Sequence, residues 1–164
     1  MDALVTALVE FFNHTISQEL TVLVISMLPI LELRGGMLAA ALLGVDRVQA
    51  FFICLFGTML PIPFILLFIK RIFRWMSNTR FFKLVHRLEK RAEEKSNTIK
   101  KYKYLGLFIF VAIPLPGTGA WTGSLIAALL DMPFKPSIIA ILLGCVTANV
   151  IMSLLSYNLL GAIL

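Results

Sequence analysis

Glu32 and Arg34 are the only acid and base set deep in an apolar run, in the stretch Pro29-Ile30-Leu31-Glu32-Leu33-Arg34-Gly35-Gly36. An ionised side chain at the centre of a bilayer costs about 2.5–3.5 kcal/mol on insertion scales, so such groups usually mark a proton site, a counter-charge or a substrate path. A buried carboxylate can take up and release a proton. A guanidinium presents a planar fork to a carboxylate or a phosphate. A half-helix beginning at Gly35-Gly36 would aim backbone N–H groups at an anion. Glu32, Arg34, Gly35 and Gly36 therefore form the candidate proton and substrate site. The plainer alternative is a neutral Glu32–Arg34 pair that holds a turn closed. Two residues apart on a regular helix they point nearly opposite ways, so pairing demands a broken backbone.

A second stretch echoes the first: Pro114-Leu115-Pro116-Gly117-Thr118-Gly119-Ala120-Trp121-Thr122-Gly123. A shift of 87 positions aligns the two without a gap. Pro29 falls on Pro116, Gly36 on Gly123, Ala40 to Leu43 on Ala127 to Leu130, and Gly57 on Gly144. Pro116, Gly117, Thr118, Gly119, Trp121, Thr122 and Gly123 make a second candidate tip, with hydroxyls and an amphipathic ring in place of charge. Trp121 falls on Arg34, so the tips are chemically unequal. Asn149, Ser153 and Ser156 form a polar stripe further on. Such stripes commonly make hydrogen bonds between membrane helices, and Asn149 is added to the candidate site residues.

The elements that must hold these groups follow from composition. Of the 164 residues 59% are apolar, and mean hydropathy is +0.91. Val48 to Ile69, Tyr104 to Leu130 and Pro136 to Leu164 carry no charge over 22, 27 and 29 residues. About 20 apolar residues suffice to cross a bilayer as a helix, so the chain is expected to be an integral membrane protein. The acidic start, with Asp2 and Glu10, does not read as an export signal. Cys54 and Cys145 lie inside apolar runs and read as buried free thiols. No metal, cofactor or catalytic constellation is expected. His14 and His86 lack metal-ligand spacing, and no phosphate-cradling Gly-Lys motif is present.

Charge is concentrated between Lys70 and Lys103, where 12 of the 15 Lys and Arg residues stand against Glu89, Glu93 and Glu94. Cytoplasmic loops carry such an excess. Phe81, Val85, Leu88 and Ala92 share one helical face there, so residues 71–103 read as a basic amphipathic cytoplasmic helix suited to an anionic leaflet. No base-reading motif accompanies the charge, and a nucleic-acid partner is not expected.

Taken in order, residues 1–16 read as an interfacial helix. Residues 17–70 read as repeat one, with a hairpin over 18–44 and a span over 47–70. Residues 104–164 read as repeat two, with a hairpin over 104–131 and a span over 135–161. Pro29 removes a backbone donor and Gly35-Gly36 loosens the chain. Irregular backbone at membrane depth is tolerated where protein buries it or water reaches it. Each hairpin is therefore read as re-entrant, with one crossing per repeat, so that the second copy is inverted, a recurring transporter plan. The fold class is all-α integral membrane: an inverted repeat of re-entrant hairpin plus transmembrane helix, joined by the basic helix. Four plain spans with kinks are the alternative.

The Glu32 to Gly36 motif and the Pro114 to Gly123 motif resemble the bacterial and archaeal family called putative small multidrug export proteins, over about Leu20 to Ser156. The plan is also similar to the DedA-type membrane proteins, whose paired re-entrant hairpins carry acids and arginines linked to proton-coupled handling of lipid phosphates. The second hairpin here departs from that pattern, with neither acid nor arginine.

The function expected is a small gradient-driven, proton-coupled transporter in a prokaryotic plasma membrane, not an enzyme. Glu32 is its proton site, and an anionic, lipid-like phosphate binds between the two tips. An exporter of cationic or amphipathic drugs using Glu32 as counter-charge is the alternative. A non-transporting scaffold acting through the basic helix is a second. The expected partners are the lipid bilayer and a small-molecule or lipid-phosphate substrate. A homodimer would help to cover re-entrant backbone.

Overall fold

The computed structural model describes residues 17–77, 90, 102–115 and 117–163. The expected interfacial helix at 1–16, most of the basic helix at 71–103, and Pro116 lie outside the described residues. Within them the regular structure is helical and no strand occurs. Seven helices carry the argument: α1 (Gln18–Met27), α2 (Glu32–Leu42), α3 (Arg47–Met59), α4 (Ile62–Ser77), α5 (Tyr104–Ala112), α6 (Ala120–Leu129) and α7 (Phe134–Ile163).

Two stretches, Arg47–Ile69 and Phe134–Asn158, are long and apolar enough to cross a membrane, with 23 and 25 residues. Each would reach about 35 Å at 1.5 Å per residue, against a hydrocarbon core of about 30 Å. Their outward faces fit that setting. Phe52 and Phe56 are 63% and 64% exposed, an apolar stripe at i, i+4 spacing that lipid rather than water suits. The first stretch is interrupted at Leu60-Pro61, between α3 and α4. Pro61 and Pro63 bring no N–H to the helical ladder there.

The chain packs as two compact units. The first comprises residues 1–60 and 145–164, and the second 61–144. In the first, α1, α2 and α3 pack on one another. Ser17 caps α1 by accepting from the Leu20 amide, and Asp46 caps α3 by accepting from Val48 and Gln49. Ile25, Leu31 and Ala39 form a core between the arms of the α1–α2 hairpin, with Leu28 and Leu38 against it. In the second unit, α6 packs against α5 and α4.

Both hairpins leave their second arm by the same turn, 87 residues apart. Gly44, at φ +70°, donates to Ala41, and Val45 donates to Ala40. Asp131, at φ +55°, donates to Ala128, and Met132 donates to Ala127. This double bond over a left-handed residue is the Schellman helix ending. Glycine enters that backbone conformation without strain, and Asp is among the few other residues that tolerate it. The helix that follows begins at Arg47 in one case and Phe134 in the other, again 87 apart. The breaks ahead of the second arms differ. Four residues part α1 from α2, while seven part α5 from α6.

Candidate functional site

The first hairpin turns at Leu28 to Leu31, earlier than the sequence suggests. The Leu28 carbonyl accepts from both Leu31 (3.2 Å) and Glu32 (2.9 Å), and Leu31 accepts from Gly35 (2.9 Å). Helix α2 therefore begins at Glu32 and not at Gly35-Gly36, which corrects the expected start. Pro29 and Ile30 stand exposed at the tip, while Glu32 and Arg34 are drawn inside, 5% and 9% exposed. The Gly35 N–H is already committed to Leu31.

Glu32 is the irregularity that makes this possible. Its φ is +48°, a left-handed conformation that costs a residue with a Cβ about 1–2 kcal/mol. Such strain persists where the surroundings over-determine it, and it clusters at functional positions. It also supplies the broken backbone that pairing requires. The Arg34 guanidinium interacts electrostatically with Glu32, and Cys145 of α7 interacts with both. One acid, one base and one thiol thus share an interior region of the first unit.

Gly35 and Gly36 lie inside α2, where close packing explains them. A Cβ on Gly36 would strike the Ser26 hydroxyl and approach Cys54 Sγ at 3.0 Å. One on Gly57 would meet the Leu23 carbonyl at 2.9 Å. The two arms and α3 close to that distance because these positions lack side chains. Ser26 donates to Val22, and Thr58 donates to the Ser26 carbonyl at 3.2 Å. A small polar layer thus sits among the three helices.

The polar stripe of α7 does what its residue types suggest. Asn149 is fully buried and its Nδ2 donates to the Phe51 carbonyl of α3 at 2.7 Å. Arg47 Nε donates to Ser153 Oγ at 2.8 Å. Tyr157 adds a third bond, its hydroxyl donating to the Val45 carbonyl at 2.6 Å. Arg47 and Tyr157 were not singled out in the sequence, and Cys145 was read only as a buried thiol. The signal for Cys145 and Tyr157 was present: Cys145, Asn149, Ser153 and Tyr157 recur every four residues on one face of a helix. Cys54 and Cys145 are free and buried, as expected. Among the described residues no cluster of ligating side chains could hold a metal.

The second tip belongs to the second unit and is built without charge. Gly117, at φ +79°, and Gly119, at φ +137°, carry the break. The Thr118 hydroxyl lies 2.8 Å from the carbonyls of both Ile113 and Leu115 and accepts from the Leu115 amide. It organises the turn itself. Trp121 and Thr122 are half-buried in the first turn of α6. A Cβ on Gly123 would meet Val111 at 2.8 Å, and one on Gly144 would meet the same side chain at 2.7 Å. Gly123 and Gly144 thus match Gly36 and Gly57 in role as well as in position.

Among the described residues the chain is helical, with two apolar stretches long enough to cross a bilayer and an interacting acid and base buried beside a helical break, the make-up of a membrane protein. The chain belongs to the family described as Putative small multi-drug export protein, whose model matches residues 32–151. The match opens on Glu32, at the start of α2, and takes in the second helix break at 113–119. No curated protein and no solved structure matches the chain.

Proposed function

We propose that the protein is a small proton-coupled transporter whose working site is the Glu32–Arg34 pair, and whose substrate is anionic, of the lipid-phosphate class. The observation that carries this reading is the burial of both groups at a strained helix start in a membrane chain. With Glu32 ionised, the carboxylate and guanidinium offset each other. A proton on Glu32 removes that offset and leaves the Arg34 fork for a phosphate. The two states then differ in affinity for the anion, which is the requirement for coupling a gradient to movement.

The same reading takes the α1–α2 and α5–α6 hairpins as re-entrant and inverted with respect to each other. It takes residues 71–103 as cytoplasmic and the membrane as a prokaryotic plasma membrane. The matched C-terminal turns of the two hairpins support a duplicated plan. No chemical step on the substrate is part of it.

The family description favours a second reading, export of small drugs. A cationic drug would use Glu32 as its counter-charge, and Arg34 weakens that field. Proteoliposomes with an imposed pH gradient separate the two. Flux of a short-chain lipid phosphate is expected to exceed flux of cationic dyes. Arg34→Ala is expected to lower the phosphate flux by about tenfold or more, the scale of one charge-assisted contact. Preference for dyes, undiminished in Arg34→Ala, would overturn the anionic substrate.

A further inference from the structure

We infer that the groove between α1 and α3 is a lipid site, and that it takes a phospholipid whose headgroup carries a primary ammonium. The groove has a volume of about 400 Å³, which is the scale of a ligand pocket. Leu20 and Leu23 of α1 wall it on one side, and Phe52 and Phe56 of α3 on the other. Ser17 and Glu19 line it at the start of α1. Phe52 and Phe56 are mostly exposed, so the groove opens sideways, onto the face that suits hydrocarbon chains.

The groove has a polar end and a deep end. Helix α3 opens the first apolar stretch at Arg47, just after its Asp46 cap, so its start lies toward a membrane surface. Helix α1 runs beside α3 in the same direction, with the Leu23 carbonyl against Gly57 and the Ser26 carbonyl against Thr58. Glu19 is one turn before Leu23, and so about 6 Å nearer that surface. It is the one charged residue that lines the groove, and it is exposed there. The apolar walls suit the upper part of any acyl chain, so the headgroup must supply the choice. A carboxylate only accepts hydrogen bonds, and it repels an anionic headgroup. A primary ammonium, like that of lysine, brings a positive charge and three N–H donors. The trimethylated ammonium of a choline lipid brings the charge without a donor. An ethanolamine-type phospholipid therefore fits the groove at both ends.

The inference stands apart from the Glu32–Arg34 reading, since neither residue lines the groove. The full chain is placed in choline-lipid vesicles that hold a small share of a photoreactive phospholipid. The reactive group is on the acyl chain, and the headgroup is either ethanolamine or choline. After irradiation the labelled residues are mapped by mass spectrometry. Labelling at Phe64 of α4, which is exposed and apolar, sets the background for each probe. The ethanolamine probe is expected to label Leu20, Leu23, Phe52 and Phe56 about threefold more than the choline probe, the scale of one exposed ion pair. Glu19→Gln is expected to bring the two probes level. Leu20→Trp, which fills the groove and keeps the acid, is expected to lower labelling by the ethanolamine probe at Phe52 and Phe56. Equal labelling by the two probes in the wild type, or a preference that survives Glu19→Gln, overturns the headgroup assignment. Labelling displaced by a cationic dye and not by unlabelled ethanolamine lipid would assign the groove to soluble cations and overturn the lipid. Groove residues that neither probe labels above background would mean that protein covers them, which overturns the site.

Discussion

Glu32 combines two demands in one residue, and substitution can pull them apart. Its φ of +48° favours glycine, while its carboxylate interacts electrostatically with Arg34. Glu32→Ala and Glu32→Gly both delete the carboxylate and leave Arg34 buried, so their difference isolates the backbone. In an ordinary helix the glycine variant would be the weaker by about 1 kcal/mol. Here the order should reverse, with Glu32→Gly more stable than Glu32→Ala by about 1 kcal/mol. Unfolding of the two variants in the same detergent measures it. An alanine variant at least as stable as the glycine would mean that the left-handed start relaxes once the carboxylate has gone. Both variants are expected to lose pH-driven flux, since neither can carry the proton. The sequence makes the position of these charges conspicuous, because no other acid or base lies so deep in an apolar run. It cannot show Cys145 beside them, because that meeting joins residues more than a hundred positions apart and depends on how α7 packs.

At the scale of elements, glycine has two different uses, and the two should respond differently to the same substitution. Gly36 is helical and sits where the arms of the hairpin meet, so a methyl group there collides with Ser26 Oγ and crowds Cys54. Gly44 has open space around it but a φ of +70°. Gly36→Ala is expected to cost about 1–3 kcal/mol by overpacking. It should recover part of that loss when combined with Ser26→Ala, which removes the hydroxyl in its path. Gly44→Ala should cost about 1–2 kcal/mol from backbone strain alone, with no rescue from Ser26→Ala. A double-mutant cycle on unfolding free energies checks both, and an additive Ser26–Gly36 pair would contradict the close approach. This also explains why the sequence misplaces the start of α2. Paired glycines read as a loosened turn, yet the turn is made three residues earlier by the shared Leu28 carbonyl. Nothing local distinguishes a glycine that permits a turn from one that permits a neighbour. The 87-residue alignment does carry that information in part, since Gly36 with Gly57 and Gly123 with Gly144 recur as pairs.

At the scale of the whole molecule, sidedness in the membrane is what the duplicated plan must answer for. If each hairpin enters and leaves by the same face, a repeat crosses once, and the second copy is inverted. Gly44 to Arg47 then lie outside, while Asp131 to Lys135 lie in the cytoplasm with the basic segment. Residue 3 lies outside. Four plain spans agree on Gly44 to Arg47 but reverse the other two. Charge bias does not decide it, because Arg47 and Lys135 are single bases with Asp46 and Asp131 beside them. Single cysteines at Gln49 and Lys135, both exposed, and at Ala3 can report the side in a background lacking Cys54 and Cys145. A thiol reagent that cannot cross the membrane is added to intact cells. The duplicated plan expects labelling at Gln49→Cys and Ala3→Cys, and at Lys135→Cys only after the cells are opened. Labelling at Lys135→Cys in intact cells, with Ala3→Cys protected, would refute inversion. It would leave the Glu32–Arg34 site intact, because its acid, base and thiol belong to the first unit and not to the second tip.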